Sequence, residues 1–271
     1  MNPIRLEQIN VFDVGPLGLV DIAAGLGVDK VSFWTAGAEL LPGASLVTED
    51  SKRAVRQRLD DLGVMADSIE AFMLSEEADV GNWRRAFDVG AYLGATTVAV
   101  INAVLAEPRR AAEALADFAA EADRFGLVTN LEPISMGCTR TLDEAQEIIR
   151  LSGSRTARIA VDVLHLVRTG GSPAAVAKLD PSLIGYAQIC DGLSAAPEDL
   201  IHEAAFERLA PGEGQFPLEE FISTLPAHTV IGVEVPMLKR REMGMSAHER
   251  ASIAVTGTRS VQAHVASSQA R

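Results

Sequence analysis

The sequence has few cysteines and no long apolar run, and each shortage excludes a class of protein. Its two cysteines, Cys138 and Cys190, lack the C-x-x-C spacing of a zinc or redox motif, and they do not make the disulfide framework of a small secreted domain. No uninterrupted apolar stretch reaches the roughly 18 residues that a membrane span needs. The amino-terminal residues MNPIRLEQINVFDVG lack the charged and then apolar pattern of a signal peptide. These absences predict a soluble, cytoplasmic protein with reduced thiols.

Basic residues are also scarce. Lysine and arginine number 24 against 37 aspartates and glutamates, so the formal net charge is −13. Nucleic acids and anionic membranes both favour a basic protein surface. The charge balance therefore argues against either of them as the main partner and favours a small molecule. Part of the acidity is available for a metal site.

Eight short apolar runs divide the chain in the manner of alternating strands and helices. Each run is rich in β-forming residues and is followed by turn residues and then by a helix-like segment. A length of 271 residues, of which 48% are hydrophobic, fits one α/β barrel, a fold that commonly takes about 250 residues. The sequence therefore predicts a single (β/α)8 TIM barrel domain over residues 1–271, with a tail that frays from about Val265. The predicted strands are Arg5–Val11, Lys30–Trp34, Ser68–Met73, Thr97–Ala103, Leu127–Ile134, Arg158–Leu166, Ile184–Asp191 and Val230–Val235.

Helix boundaries carry their own signals. Thr141–Glu144 and Ser246–Glu249 each fit a capping box, in which two free backbone donors at a helix start are satisfied. Gly63, Gly94 and Gly126 stand where a helix is expected to end. The predicted helices are Ser51–Leu62, Trp83–Leu93, Pro108–Phe125, Leu142–Leu151 and Pro217–Leu225.

Four side chains with oxygen donors lie at or near the ends of the last four predicted strands: Glu132, Asp162, Gln188 and Glu234. Parallel strands with helical crossovers bring their carboxyl ends to one face, so these side chains are expected to converge. Three carboxylates and one amide oxygen suit a hard divalent cation, and four protein ligands leave coordination positions for substrate oxygens. The alternative is that each residue only forms a cap or a salt bridge at a strand end.

Five short motifs, in order along the chain, carry a resemblance to a known family. They are LEP at the end of the fifth strand, DVLH in the sixth, QICD in the seventh, a PGEG loop at Pro211–Gly214 and GVEVP in the eighth. In this combination the chain resembles the xylose isomerase-like barrel superfamily of sugar isomerases, epimerases and ketose-processing lyases. The likeness covers most of the carboxyl-terminal half by motif and the whole chain by architecture.

The resemblance implies one divalent cation bound by Glu132, Asp162, Gln188 and Glu234, with Mn2+, Mg2+ or Co2+ expected and Zn2+ as a further option. A cation that binds a carbonyl oxygen and a neighbouring hydroxyl acidifies the carbon between them and stabilises the enediolate that follows. Glu132 and Glu234 are the natural general base and general acid. Return of the proton to the other carbon gives isomerisation, and return to the opposite face gives epimerisation. Expulsion of a β-hydroxyl instead gives dehydration.

Other candidate residues lie around this group. By the resemblance, His165 hydrogen-bonds substrate or acts as an acid or base, and Arg208 contacts a substrate oxygen or carboxylate. Their alternatives are a structural histidine at a strand end, on the opposite pleat from Asp162 unless the chain bends, and a solvated arginine. Trp34, Glu70 and Glu213 are expected to line the substrate pocket, although tryptophan at a strand end also suits barrel packing, as does Phe72.

The leading interpretation is a metal-dependent isomerase or epimerase of a sugar-like hydroxy-ketone. The alternative is a dehydratase of a cyclic keto-polyol such as an inosose or a 3-dehydroshikimate-like compound, because Gln188 replaces the histidine usual in similar sugar epimerases. Glu70 argues against an acidic substrate, which a carboxylate repels. A barrel that binds a polyol without turning it over is a third interpretation, whereas five histidines and the acidic charge disfavour a multi-zinc DNA nuclease. Homo-oligomers are common in the family and are a further expectation.

Overall fold

The computed structural model describes residues 1–37, 44–76 and 80–269. Eight parallel strands close into a barrel in sequence order, and the first strand pairs with the eighth. The predicted (β/α)8 barrel is therefore confirmed. The strands are β1 Ile4–Leu6, β2 Lys30–Trp34, β3 Met65–Met73, β4 Thr97–Ile101, β5 Val128–Glu132, β6 Arg158–Asp162, β7 Ile184–Ile189 and β8 Ile231–Val233.

Helices follow every strand and cover the outside of the barrel. In the described residues they are α1 Gly15–Gly25, α2 Lys52–Leu62, α3 Val80–Leu93, α4 Pro108–Asp123, α5 Leu142–Ser152, α6 Val163–Arg168, α7 Pro173–Val176, α8 Leu200–Phe206, α9 Leu218–Thr224, α10 Leu238–Glu242 and α11 Ala247–Gln269, with 3-10 helices at Gln8–Val11 and Pro181–Leu183. None of these helices combines the length and apolarity of a membrane-crossing segment.

The main hydrophobic core lies between the strands and the surrounding helices. Phe72 of β3 contacts Phe87 of α3 and Phe118 of α4, with ring centroids 5.2 and 5.4 Å apart. Aromatic pairs at these separations bury a large area and add a specific geometry. Phe72 therefore packs between the strands and the helices, as its alternative assignment expects, and does not line the barrel interior.

Two of the helix signals work as the sequence predicts. Thr141 Oγ1 accepts a hydrogen bond from Glu144 N at 3.2 Å, while Glu144 Oε2 accepts one from Thr141 N at 3.0 Å. Gly63 ends α2 with a φ of 66°, a left-handed conformation that favours glycine. These local interactions set the boundaries of α5 and α2 without help from the rest of the chain.

Several predicted segments end at other residues in the structure, and three of these differences are the most marked. The first strand stops at Leu6, since the chain turns into a 3-10 helix at Gln8. The sixth strand stops at Asp162, whose Oδ1 accepts a hydrogen bond from Leu164 N at 2.6 Å and so caps α6. The tail expected to fray from about Val265 is helical as far as Gln269, and Val265 is buried.

Candidate metal centre

The four predicted ligands converge at the carboxyl end of the barrel. Glu132 and Asp162 are the last residues of β5 and β6, Gln188 lies near the end of β7, and Glu234 follows β8 directly. The register pairs Asp162 with Gln188, and Gln188 with Gly232. Asp162, Gln188 and Glu234 are buried, and the side chain of Glu132 is 12% exposed. This is the face at which TIM barrels place their active sites.

Within this cluster the side chains form two linked groups. Ligand atoms of Glu132, Asp162 and His165 all lie within 4.8 Å of one another. Glu234 is linked to Asp162 through Arg208, whose Nη1 lies 2.7 Å from Asp162 Oδ2 and 3.2 Å from Glu234 Oε2. The structure therefore brings the acidic ligands together and adds an arginine between two of them, an arrangement that the sequence does not reveal.

The donor set fits a divalent cation. Gln188 Oε1 is buried and has no hydrogen-bond partner among residues 1–37, 44–76 and 80–269. A buried acceptor without a partner costs about 1–3 kcal/mol, and a cation is one group that satisfies it. Together with Glu132, Asp162 and Glu234 it makes an all-oxygen set of the kind that hard or borderline dications prefer. The chemistry of the four side chains thus agrees with the predicted site.

His165 faces this group from α6. Its position follows from the bend at Asp162, which turns the chain into a helix and brings His165 to the same side as the carboxylates. Ser135 N donates to His165 Nδ1 at 3.3 Å, so Nδ1 is the acceptor and the ring proton belongs on Nε2. Burial lowers the pKa of His165 to about 4, so the imidazole is neutral near pH 7. In this tautomer Nε2, 3.7 Å from Glu132 Oε1, presents a donor to the carboxylates, and His165 also stands among the side chains whose ligand atoms could hold a metal ion.

The three carboxyl groups have different pKa values. Burial raises the pKa of Glu132 to about 8, and the nearby Asp162 carboxylate contributes to the rise. Burial, together with Asp162 and Glu132, also raises the pKa of Glu234 well above its ordinary value. Burial opposes ionisation of Asp162 as well, but Arg208 and His165 outweigh it and lower the pKa of that carboxyl. The cluster therefore combines one carboxyl that ionises readily, Asp162, with two glutamates, Glu132 and Glu234, that hold their protons to higher pH.

Trp34 is the last residue of β2 and lies in an apolar patch of its own. It is buried with Ile9 and Phe12, apart from the main core, and partly buried Phe206 packs against them. The backbone N–H of Trp34 donates to Gln8 Oε1 at 2.9 Å, which fixes the strand end. Its indole Nε1 is buried without a partner in the described part of the chain. The role of Trp34 as a pocket wall stays a prediction.

Glu70 belongs to a polar layer inside the barrel that the sequence analysis missed. Its carboxyl lies within hydrogen-bond reach of Glu7, which also accepts from Arg5 Nε at 2.9 Å and from the Ser32 hydroxyl. Burial and the charge of Glu7 raise the pKa of Glu70 well above its ordinary value. The raised pKa favours the neutral form of Glu70, and its expected repulsion of an acidic substrate stays a prediction.

A pattern in the first strand marks this layer. Arg5 and Glu7 alternate with Ile4 and Leu6, and in a barrel strand every second side chain points inward. The alternation places two charged residues inside, and such residues are seldom fully buried unless they are paired. The signal was present, but the partner Glu70 is far away in sequence and only the closed barrel identifies it.

Glu213 is not brought to the ligand group. It forms a salt bridge with Arg240 at 2.7 Å, and its side chain is 36% exposed. The loop that carries it is organised by Asp191, whose two carboxylate oxygens accept four backbone N–H groups at 2.9–3.0 Å, those of Gly192, Gly212, Gly214 and Phe216. The PGEG segment is therefore a turn built on Asp191, and the predicted pocket-lining role of Glu213 has no contact to support it.

Asn10 holds the strand end that carries Glu234. Its Nδ2 donates to Glu7 O at 2.7 Å and to Val233 O at 2.6 Å, and its Oδ1 accepts from Val235 N at 2.7 Å. The amide thus fixes the residues on both sides of Glu234. Replacing it leaves buried backbone groups unpaired on both flanks.

Asn10→Ala is expected to lower the free energy of unfolding by about 2 kcal/mol or more, because it removes three buried hydrogen bonds. Metal affinity is expected to fall about tenfold, since groups that orient a ligand commonly contribute that much. Urea unfolding and calorimetric Mn2+ titration measure the two effects. Asn2→Ala, which removes side-chain bonds to Pro226 O and Thr229 O, is the control and should keep full Mn2+ affinity. Unchanged affinity in Asn10→Ala would contradict this role.

Comparison with known proteins identifies the family. The family model of the xylose isomerase-like TIM barrel matches residues 20–254. The chain therefore belongs to the xylose isomerase-like TIM barrel family. Comparison with curated protein sequences gives no match.

Similar solved structures share the fold at low sequence identity. The IolI protein with a bound zinc atom is 16% identical with a TM-score of 0.80, over 96% of this chain and 97% of that one. L-ribulose 3-epimerase is 17% identical with a TM-score of 0.72, over 100% and 99%. The probable 3-DHS dehydratase AsbF from Bacillus anthracis is 14% identical with a TM-score of 0.71, over 92% and 97%.

A further similar structure belongs to a longer protein. It is a xylose isomerase-like TIM barrel/4-hydroxyphenylpyruvate dioxygenase fusion protein, 20% identical with a TM-score of 0.80, and the match covers 94% of this chain but 42% of the fusion protein. These likenesses agree on the barrel. The proteins of similar structure include epimerases and a probable dehydratase.

Proposed function

We propose that this protein is a divalent-metal-dependent isomerase or epimerase of a sugar-like hydroxy-ketone. The observation that carries the proposal is the convergence of Glu132, Asp162, Gln188 and Glu234 at the carboxyl end of the barrel, where burial raises the pKa values of the two glutamates. Two such groups suit a reaction that removes a proton at one position and returns it at another. Groups with pKa values near the working pH are efficient in both directions.

The chain's own residues divide the remaining work. Glu132 or Glu234 takes the proton from the carbon beside the ketone, and the other delivers a proton to the neighbouring carbon or to the opposite face. The Nε2–H of His165 donates to a substrate oxygen, and Ser135 holds the tautomer that makes this donation available. Trp34 with Ile9 and Phe12 forms an apolar surface that suits a sugar ring and excludes water.

Glu132, Asp162, Gln188 and Glu234 are the residues proposed to hold the cation. When bound, a dication supplies Lewis acidity that makes the carbon next to a ketone a stronger acid. The unpartnered Oε1 of Gln188 and the ionised Asp162 support this assignment. Which dication is preferred is not fixed by an all-oxygen set, so Mn2+, Mg2+, Co2+ and Zn2+ belong in the same screen.

A dehydratase of a cyclic keto-polyol is the second candidate. Two observations favour it: Gln188 stands where similar epimerases usually have histidine, and burial beside Glu7 raises the pKa of Glu70, which weakens its repulsion of an acidic substrate. In this case one carboxyl removes the proton and the other protonates the departing hydroxyl. The same site therefore serves both candidates, and the product distinguishes them.

The test is incubation of Mn2+-loaded protein with a panel of ketoses and inososes in D2O. Solvent deuterium at the carbon beside the carbonyl, together with a new aldose or epimer in the NMR spectrum, is the expected result. Loss of water with formation of an unsaturated ketone would instead support the dehydratase. Binding of a polyol by the loaded protein with neither exchange nor dehydration would support a binding protein and contradict the proposal. Glu132→Gln serves as the catalytically inactive control.

Metal affinity is expected to depend on pH in a defined direction. Glu132, with its pKa of about 8, must lose its proton to bind a cation, whereas Asp162 is already ionised and His165 stays neutral. The apparent affinity for Mn2+ should therefore rise at least about tenfold per pH unit between pH 6 and pH 8, because Glu234, whose pKa is also raised, has a proton to lose as well. Calorimetry in buffers of different ionisation enthalpy measures the released protons. A pH-independent affinity would contradict Glu132 as a ligand.

A further inference from the structure

Arg208 is a buried cation inside the proposed ligand set. Its side chain is 3% exposed, and Nη1 lies 2.7 Å from Asp162 Oδ2 and 3.2 Å from Glu234 Oε2. Its Nε donates to Ala204 O at 2.9 Å, and this hydrogen bond holds the guanidinium in place. Two of the four proposed ligands thus already have a positive partner supplied by the protein.

The contact with Asp162 leaves little of that carboxylate for another cation. Asp162 Oδ1 accepts the N–H of Leu164 at 2.6 Å as the cap of α6, and Oδ2 accepts Arg208. The oxygen that is not used by the helix is therefore the one that the arginine holds. A dication that binds Asp162 must take over or share this oxygen, and the guanidinium charge remains nearby.

We propose that the guanidinium of Arg208 is an internal cation that competes with the dication for Asp162 and Glu234. The inference rests on the proposed function, since it concerns the same metal site. Arg208 neutralises the buried carboxylates when no dication is bound, because uncompensated charge is costly inside a protein. Metal loading displaces Nη1 from Asp162 Oδ2 and frees this donor for a substrate oxygen. Arg208 thereby makes metal binding weaker and couples it to substrate binding, with metal loaded first.

The sign of the effect follows from charge. Two positive groups in one buried site repel each other, and this repulsion is screened much less there than at the surface. Replacing Arg208 by an apolar side chain of similar length therefore favours the dication. We expect Arg208→Met to bind Mn2+ at least tenfold more tightly than the wild type. We also expect the metal-free variant to melt at a lower temperature than the metal-free wild type. Its melting temperature should rise more on addition of Mn2+.

A matched control exists in the same barrel. Arg168 has a side chain that is 1% exposed and donates through Nε to Glu203 Oε2 at 2.8 Å, outside the ligand set. Arg168→Met also deprives a carboxylate of its buried arginine partner, but it leaves the contacts of Asp162 and Glu234 unchanged. Arg208→Lys keeps the positive charge. Both variants should bind Mn2+ within about threefold of the wild type.

The experiment is calorimetric Mn2+ titration of the wild type and the three variants at one pH, with melting temperatures recorded with and without Mn2+. Tighter binding in Arg208→Met alone supports the inference, including the case in which only this variant binds. Equal or weaker binding in a folded Arg208→Met overturns it while leaving the metal site intact. No binding in any of the four proteins overturns the inference and the proposed function together. Should Arg208→Met not fold, crystals of the wild type with Mn2+ decide: a retained 2.7 Å contact between Arg208 Nη1 and Asp162 Oδ2 overturns the inference.

Discussion

Glu132→Gln and Glu234→Gln are each expected to lower turnover by about a thousandfold, because each removes a proton donor or acceptor from the reaction. Glutamine is close to glutamate in shape and keeps an oxygen donor, so the barrel should fold normally in both variants. The measurement is solvent deuterium exchange into the substrate identified by the ketose and inosose panel. Metal content is determined on the same samples, since a glutamine in the ligand set also weakens cation binding.

Glu121→Gln is the matched control for this pair. Glu121 is a similarly covered glutamate, 9% exposed against 12% for Glu132, but it pairs with Arg84 on the outside of the barrel. We expect it to retain wild-type turnover and metal content. If either Glu132→Gln or Glu234→Gln keeps wild-type exchange with metal bound, the acid and base assignment is wrong. If a variant loses turnover only in proportion to its lost metal, its carboxyl acts as a ligand alone.

The sequence predicted the barrel and the convergence of the four ligands because both follow from strand periodicity. Runs such as Arg158–Asp162 and Ile184–Ile189 are short, apolar and separated by helical segments, so parallel strands are the natural arrangement. Once the strands are parallel, their last residues lie on one face. The position of Glu132 or Asp162 therefore needs no knowledge of packing, only the strand ends.

The contacts that the sequence did not predict depend on tertiary geometry. His165 was expected on a strand, and it reaches the site since the carboxylate of Asp162 caps a helix there. Arg208 was expected to contact substrate. Its hydrogen bonds to Ala204 O and Asp162 Oδ2 depend on how α8 and the following loop pack. Glu70 and Glu7 meet across the barrel interior. In each case two residues distant in sequence share a buried space that no local pattern encodes.

The polar layer of Glu7, Arg5 and Glu70 inside the barrel affects the ligand group. Arg5 Nη1 also pairs with Asp67 at 3.0 Å, and the guanidinium carbon lies 4.1 Å from the ring centroid of Tyr186. A charged group is tolerated in a protein interior only when it is paired and hydrogen-bonded. Partners on several strands hold this network in place. It therefore gives the ligand group a rigid polar layer inside the barrel, which a purely apolar barrel core lacks.

Asp162→Ala is expected to lower Mn2+ affinity at least a hundredfold and to abolish the bound cation that wild-type protein retains after dialysis. Asp162 is the ligand carboxyl with a lowered pKa, so it supplies negative charge more readily than Glu132 and Glu234, whose pKa values are raised. The substitution also leaves Arg208 with Glu234 alone and removes the cap of α6. Breaking a buried ion pair from one side commonly costs about 3–5 kcal/mol, so the melting temperature should fall as well.

Elemental analysis of dialysed samples loaded with Mn2+, Mg2+, Co2+ and Zn2+ measures the first effect. Asp199→Ala controls for the lost cap, because Asp199 Oδ1 caps α8 by accepting His202 N at 2.8 Å and is exposed. It should lose about 1 kcal/mol of stability and keep its metal. Asp162→Asn keeps an oxygen for Leu164 N without the charge, and intermediate affinity is expected. Metal retained by Asp162→Ala at the wild-type level would contradict Asp162 as a ligand.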